Sequence, residues 1–271
     1  MRIYDDEKQE LARKAKTRAL MLEYVDNRIN FYRNLKYDKL LVKDFAIFAL
    51  RGVSTAEDYA REAFHAVESS SEETVMGSTW QRIIAAISDD TIDTGDLTAT
   101  RDDTVYVIEL KAQDNTTNSS SFPGELRGLR QRMNEIEGRR RASKQKVAAA
   151  LCITRSTRKT SVDEWREFQA SDVVRENSDL NGFKYRYLSG TAMWQFLCGI
   201  DSPYGLIRPF DQINTDEIRE ARESSLERVT RELIADLDKY HLGHDVEGVV
   251  ELSDIFKSEA ERKRRARLNK K

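Results

Sequence analysis

The sequence predicts an α/β (α+β) fold, with a central mixed β-sheet flanked by helices and large helical parts at both ends. Three observations predict it. Helical apolar spacing dominates the first third of the chain, strand-like alternation takes over from Thr91, and beyond "SPYG" and "RPF" the chain returns largely to helix. A length of 271 residues suits one large domain, or a main domain with appendages, and allows a continuous core. The expected division is a helical N-terminal part over 1–75, a mixed core over 76–200, and a helical C-terminal part with a basic tail over 201–271.

Each element has its own signal. Residues 5 to about 35 carry apolar positions at Leu11, Ala15, Leu22, Val25 and Ile29 between long charged side chains, the spacing of a helix. The apolar stretch "LLVKDFAIFAL" (40–50) leads to "STAED", a helix start at Ser54 with acid in its first turn. "ESSSEETVMG" reads as a polar loop ending at Gly77, followed by a short helix near 78–88. "GDLTATR" and "TVYVIELKA" alternate as two strands around Asp102-Asp103. "NTTNSSSFPGE" (115–125) is a loop of small polar residues before the charged helix "GELRGLRQRMNEIEGRRR". The continuous apolar run "KVAAALCIT" (146–154) is a strand, and "SVDEWREF" belongs to a helix. "FKYRYLSG" (183–190) is a strand and "TAMWQFLCGI" (191–200) an amphipathic helix. The sequence shows no repeat and no glycine-rich phosphate loop.

Composition excludes several classes. Hydrophobic residues make up 39% and charged residues 34%, and no apolar run approaches the roughly 20 residues of a membrane span. "MRIYDDEKQELARKAK" lacks the apolar segment of a secretory signal. Only Cys152 and Cys198 are present, both in apolar contexts, so a disulfide framework is not expected and a reducing, cytoplasmic setting is. The net charge of −2 hides an uneven distribution. "GRRRASKQK" (138–146) and "KRRARLNKK" (263–271) are basic, while much of the acid lies at 213–254, so a partner touching one face meets a local field.

The chemistry concentrates in "DTGDLTATRDDTVYVIELKAQ" (93–113). A hairpin turning at Asp102-Asp103 sets Arg101 opposite Thr104, Leu97 opposite Ile108 and Asp96 opposite Glu109. Directly opposed residues share a face, and Glu109 and Lys111, two apart on one strand, share it too. Asp96, Glu109 and Lys111 therefore converge. Two opposed carboxylates destabilise a plain sheet. A divalent cation with hard oxygen ligands, Mg²⁺ above all, reverses that sign. An adjacent ammonium can orient an attacking water or stabilise charge on a phosphoryl oxygen. A solvated edge pairing is the structural alternative for such an E-x-K triplet. The apolar Val105, Tyr106, Val107, Ile108 and Leu110 argue instead for a strand covered on both faces. Asp93 competes with Asp96 but falls three residues outside the register.

"GD" followed twelve residues later by "ELK" resembles the signature of the PD-(D/E)xK nuclease superfamily, with Gly95 in place of the proline. The wider context is similar to type II restriction endonucleases of that superfamily. "SSSEETVMGSTWQRIIAAI" resembles the lead into the helix before the catalytic hairpin. "ELKAQDNTTNSSS" is similar to the catalytic strand running into a polar loop, and "YRYLSGTAMWQFLCGI" to the late strand and Trp-bearing helix. The similarity covers residues 70–200. It implies a restriction-endonuclease-like core and Mg²⁺-dependent cleavage of double-stranded DNA at a short specific sequence, by a homodimer. Asp96 and Glu109, with the Leu110 carbonyl, would bind the metal, and Lys111 would position or help deprotonate the attacking water. Gln81 stands where many relatives have a metal-supporting Glu, which leaves a one- or two-metal site open. The alternatives are a repair nuclease or junction resolvase on the same core, and a non-catalytic DNA-binding or partner-binding domain in which the E-x-K is a structural pair.

Candidate DNA contacts flank this segment. Gln113, Asn115, Asn118 and Ser119 lie in the polar loop after the catalytic strand, able to reach base edges or to serve as a connector. Arg139, Arg140, Arg141 and Lys144 read either as a cationic helix end or as phosphate contacts. The basic tail reads as a solvated end that adds nonspecific DNA affinity. "HLGHDVEG", with His241, His244 and Asp245, reads as a polar turn because a third metal ligand is missing. His65 reads as structural, and Trp80, Trp165 and Trp194 read as core residues of helical patterns.

Overall fold

The computed structural model describes residues 7–88, 91–93, 97–113, 121–139, 145–155, 160–170, 175–202 and 213–268, without the side chains of 7–9, 91–93, 112–113 and 175–176. Helix α1 spans Glu7–Asn34, as its apolar spacing predicts. A 3-10 turn at Tyr37–Lys39 and the short helix α2 (Phe45–Leu50) follow, and Asp44 caps α2 by accepting from the Ala46 N–H at 3.0 Å. Helix α3 runs unbroken from Ala56 to Ile87, with Thr55 Oγ1 accepting from the Asp58 N–H at its start.

The unbroken α3 corrects the expected loop at "ESSSEETVMG". Ser70 and Thr74 bond back to the Ala66 and Ser70 carbonyls at 2.9 and 3.0 Å, so their hydroxyls stay inside the helix. Gly77 touches nothing at its missing Cβ and costs only helix propensity, about 1 kcal/mol relative to Ala. Small polar residues with local partners thus continue a helix that composition alone would end.

Six strands follow: β1 (Thr91–Asp93), β2 (Leu97–Arg101), β3 (Thr104–Gln113), β4 (Lys146–Arg155), β5 (Val162–Glu167) and β6 (Lys184–Ser189). They form one mixed sheet in the order β1-β2-β3-β4-β6-β5. β3, β4 and β6 are parallel to their neighbours in that central trio, whereas β1–β2, β2–β3 and β5–β6 pair antiparallel. Helix α4 (Phe122–Arg139) makes the crossover from β3 to β4, and α5 (Thr191–Cys198) follows β6. Helices α6 (Asp216–Lys239) and α7 (Val246–Leu268) complete the described chain.

β5 corrects a second expectation, since "SVDEWREF" holds a strand and not a helix. Trp165 is 57% exposed on this edge strand, so it is not a core residue. Alternation of charge and bulk over six residues gave no clear period, and antiparallel pairing with β6 decides the conformation. Trp194 is buried and meets the Trp80 ring edge-on at 5.5 Å.

The chain divides into two compact units, one of Met1–Leu22 and Gly77–Ile213, the other of Glu23–Met76 and Asn214–Lys271. In the first, α4 covers one sheet face: Leu126 and Leu129 pack with Val107, Ala149, Leu151, Ile153, Tyr185 and Tyr187. α5 packs on β4, β5 and β6, and its Phe196 ring lies edge-on to Tyr106 at 5.0 Å. Both cysteines are free and buried, and burial pushes the Cys198 thiol up to about 12. In the second unit, Tyr32, Tyr59 and Phe64 pack with Val229, Leu233, Leu237, Val249 and Leu252. There "HLGHDVEG" forms the turn between α6 and α7: Asp245 Oδ1 caps Gly248 N–H at 2.8 Å, and a Cβ at Gly248 would strike the Gly243 carbonyl. No helix among the described residues is long and apolar enough to cross a membrane.

Candidate active site

The site is built from the hairpin outward. Arg101 pairs with Thr104 and Leu97 with Ile108, the register expected from a turn at Asp102-Asp103. Both turn residues have positive φ, 47° and 60°, the geometry of a two-residue turn that matches strand twist. The register ends at Leu97–Ile108, with Glu109 next on β3; Asp96 lies outside the described residues. Asp93 pairs with Leu97 and through it with Ile108, one row away from the Glu109 row.

β3 brings Glu109 and Lys111 together near its C-terminal end. Lys111 Nζ lies 3.1 Å from Glu109 Oε1 and 2.9 Å from Glu125 Oε1, and Arg132 Nη2 donates to Glu109 Oε2 at 2.6 Å. All four side chains are about four-fifths buried. Burial opposes the charge on Lys111, but the bonds from Glu125 and Glu109 outweigh it and raise its pKa. The strand beneath is held by parallel pairing of Glu109 with Leu151 and Lys111 with Ile153.

Glu125 and Arg132 were missed from sequence. Both lie on α4 seven residues apart, two turns along one helix face, next to the apolar Leu126, Leu129, Met133 and Ile136 that seat the helix on the sheet. That spacing was the available signal. Glu125 also stands in the first helical turn, where acid is favoured.

The remaining candidates are spread along the chain. Leu110 sits on β3 opposite Cys152, and Gln113 opposite Arg155. Arg139 is the exposed last residue of α4, and Gln81 is half-buried on α3. Asn115, Asn118, Ser119, Arg140, Arg141 and Lys144 lie outside the described residues. His65 is structural: its Nδ1 faces Glu68 and Arg222 at 3.3 and 2.9 Å.

The described donor set brings two carboxylates, Glu109 and Glu125, onto one ammonium, that of Lys111. It offers hard carboxylate oxygens, and each Glu109 oxygen already meets a separate cationic group. No group of three or more His, Cys, Asp or Glu arranged for a metal ion occurs among the described residues. No curated protein sequence matches the chain. The family model for type II restriction endonuclease EcoO109I matches residues 17–217, a span that contains the whole sheet, the Glu109–Lys111 pair and α4. With that match over most of its length and a restriction-endonuclease-like sheet beneath the Glu109–Lys111 pair, the chain belongs to the EcoO109I family of type II restriction endonucleases.

Proposed function

We propose that this restriction endonuclease hydrolyses phosphodiester bonds of double-stranded DNA at a specific short sequence, with Mg²⁺ and as a homodimer. The observation that supports the reading is the hairpin register up to Leu97–Ile108, with Glu109 next on β3 and Lys111 3.1 Å from Glu109. Asp96 and Glu109, with the Leu110 carbonyl, hold the cation. When bound, the cation supplies Lewis-acid stabilisation of charge on the phosphoryl group. Lys111 brings an ammonium beside it that orients the attacking water and meets developing negative charge. Gln113, Asn115, Asn118 and Ser119 contact bases or backbone, and Arg139, Arg140, Arg141 and Lys144 contact phosphates. The helical parts over 1–75 and 201–271 serve dimerisation and DNA grip, and twofold symmetry matches a palindromic site.

Purified protein incubated with phage or plasmid DNA, in Mg²⁺ and in EDTA, tests the reading. Discrete Mg²⁺-dependent fragments are expected. Smears, or cutting of branched DNA alone, would favour a repair nuclease or resolvase. No cleavage of unmodified DNA in any of several divalent metals would overturn the proposal.

A further inference from the structure

The site carries one carboxylate that the proposed chemistry leaves without a task. Glu125 Oε1 faces Lys111 Nζ at 2.9 Å, but its other oxygen is buried and has no hydrogen-bond partner among the described residues. A buried charged oxygen without a donor loses its hydration uncompensated, which opposes folding. Such an atom calls for an electrophile. Glu109 Oε1 lies 3.1 Å from the same Lys111 nitrogen, so a single cationic centre already touches carboxylates from β3 and from α4.

The placement is reproducible from the fold and not an accident of a long side chain. Glu125 lies in the first turn of α4, where the helix N-terminus supports negative charge. Leu126 and Leu129, both fully buried, fix the helix on the sheet beside it. Arg132, two turns on, braces Glu109 from the other side at 2.6 Å. The carboxylate at 125 is therefore held over β3, which carries Glu109 and Lys111.

We propose that Glu125 is a further carboxylate ligand of the divalent cation, supplied by α4 beside Glu109 of β3. This rests on the proposed metal-dependent reading, and the test separates the two. Lys111 and the cation then compete for the same oxygens.

Mn²⁺ alone is titrated into the full chain and followed by electron paramagnetic resonance, for the wild type, Glu109→Gln, Glu125→Gln, Glu125→Asp, Lys111→Met and the double variant Lys111→Met/Glu125→Gln. Circular dichroism and thermal unfolding verify the fold of each. Glu125→Gln should weaken Mn²⁺ binding by about 10–100-fold, as loss of groups around a metal typically does. Glu125→Asp, which keeps the carboxylate, should recover part of the loss, and Lys111→Met should bind Mn²⁺ more tightly. In the Lys111→Met background the Gln substitution should still weaken binding. If the effect of Glu125→Gln vanishes there, Glu125 acts only by positioning Lys111 and the inference fails. It fails alone if Glu109→Gln abolishes binding while Glu125→Gln binds as the wild type. If the wild type takes up no Mn²⁺, the inference and the metal-dependent reading fall together.

Discussion

Arg101 shows how one side chain ties the β2–β3 hairpin to the rest of its unit. Its Nε and Nη2 donate to the Phe196 and Leu197 carbonyls at 2.7 Å, and its Nη1 to the Thr100 carbonyl at 2.7 Å. Arg13 Nη2 takes the next carbonyl, that of Cys198, at 2.5 Å. Two guanidinium groups thus satisfy the C-terminal carbonyls of α5, where positive charge is favoured. Replacing Arg101 by Met should cost roughly 2–3 kcal/mol in a denaturant titration, the usual worth of hydrogen bonds from a charged donor. An unchanged midpoint would show that the cap is dispensable. At the site itself, Lys111→Ala should keep specific DNA binding in Ca²⁺ while cleavage nearly stops. Loss of binding in that variant, measured by gel shift, would argue for an architectural role. Glu109 and Lys111 were legible in the sequence because strand alternation and a two-residue turn fix both face and register. Glu125 and Arg132 were not, because their position depends on how α4 lies across the sheet. That follows from packing of Leu126 and Leu129, which no local pattern encodes.

At the scale of elements, the hairpin carries a strain that can be relieved. Asp102 and Asp103 both occupy left-handed backbone, which Asn and Gly adopt more readily. Asp102→Asn/Asp103→Gly should stabilise the protein by about 0.5–1 kcal/mol, read as a higher thermal midpoint with DNA cleavage unchanged. A lower midpoint would mean that the Asp side chains contribute contacts of their own. The two mistaken elements have one cause. Both "ESSSEETVMG" and "SVDEWREF" lack a strong apolar period, so neighbours decide them. Ser71, for example, is held within α3 by Arg28 Nη1 at 2.8 Å, and β5 takes its form from six consecutive pairings with β6. Exposed Asp163, Glu164 and Trp165 then leave β5 a charged edge, which discourages pairing with another chain. By contrast, β4 was plain from its apolar run alone, since it is central and covered on both faces.

At the scale of the whole molecule, the helical unit is held by a polar network within its core. Glu68 accepts from Tyr32 Oη at 2.7 Å and from Arg222 at 2.5 and 3.0 Å, with His65 beside it. Burial alone would raise the Glu68 pKa, but the bonds from Arg222, Tyr32 and His65 outweigh it and hold the pKa below its ordinary 4.5. A depressed carboxylate pKa stabilises the fold above the unfolded-state value, and that stability is lost as pH falls through the folded-state value. Glu68→Gln should therefore be less stable at neutral pH and lose less of its remaining stability on acidification below 4.5. Parallel acid-unfolding curves for the two proteins would rule the network out as a source of acid sensitivity.

The division of the chain has a consequence for its synthesis. The unit that carries the sheet uses no residue beyond Ile213, whereas its companion joins Glu23–Met76 to Asn214–Lys271. On the ribosome, the six described strands emerge before α6 and α7 exist, and the early half of the helical unit must wait for partners made later. Apolar side chains such as Phe48, Tyr59 and Phe64 thus emerge long before Val229, Leu233 and Leu252 are available to cover them. The nascent chain is therefore most exposed to chaperones and proteases at α2 and α3, until α6 and α7 have been made.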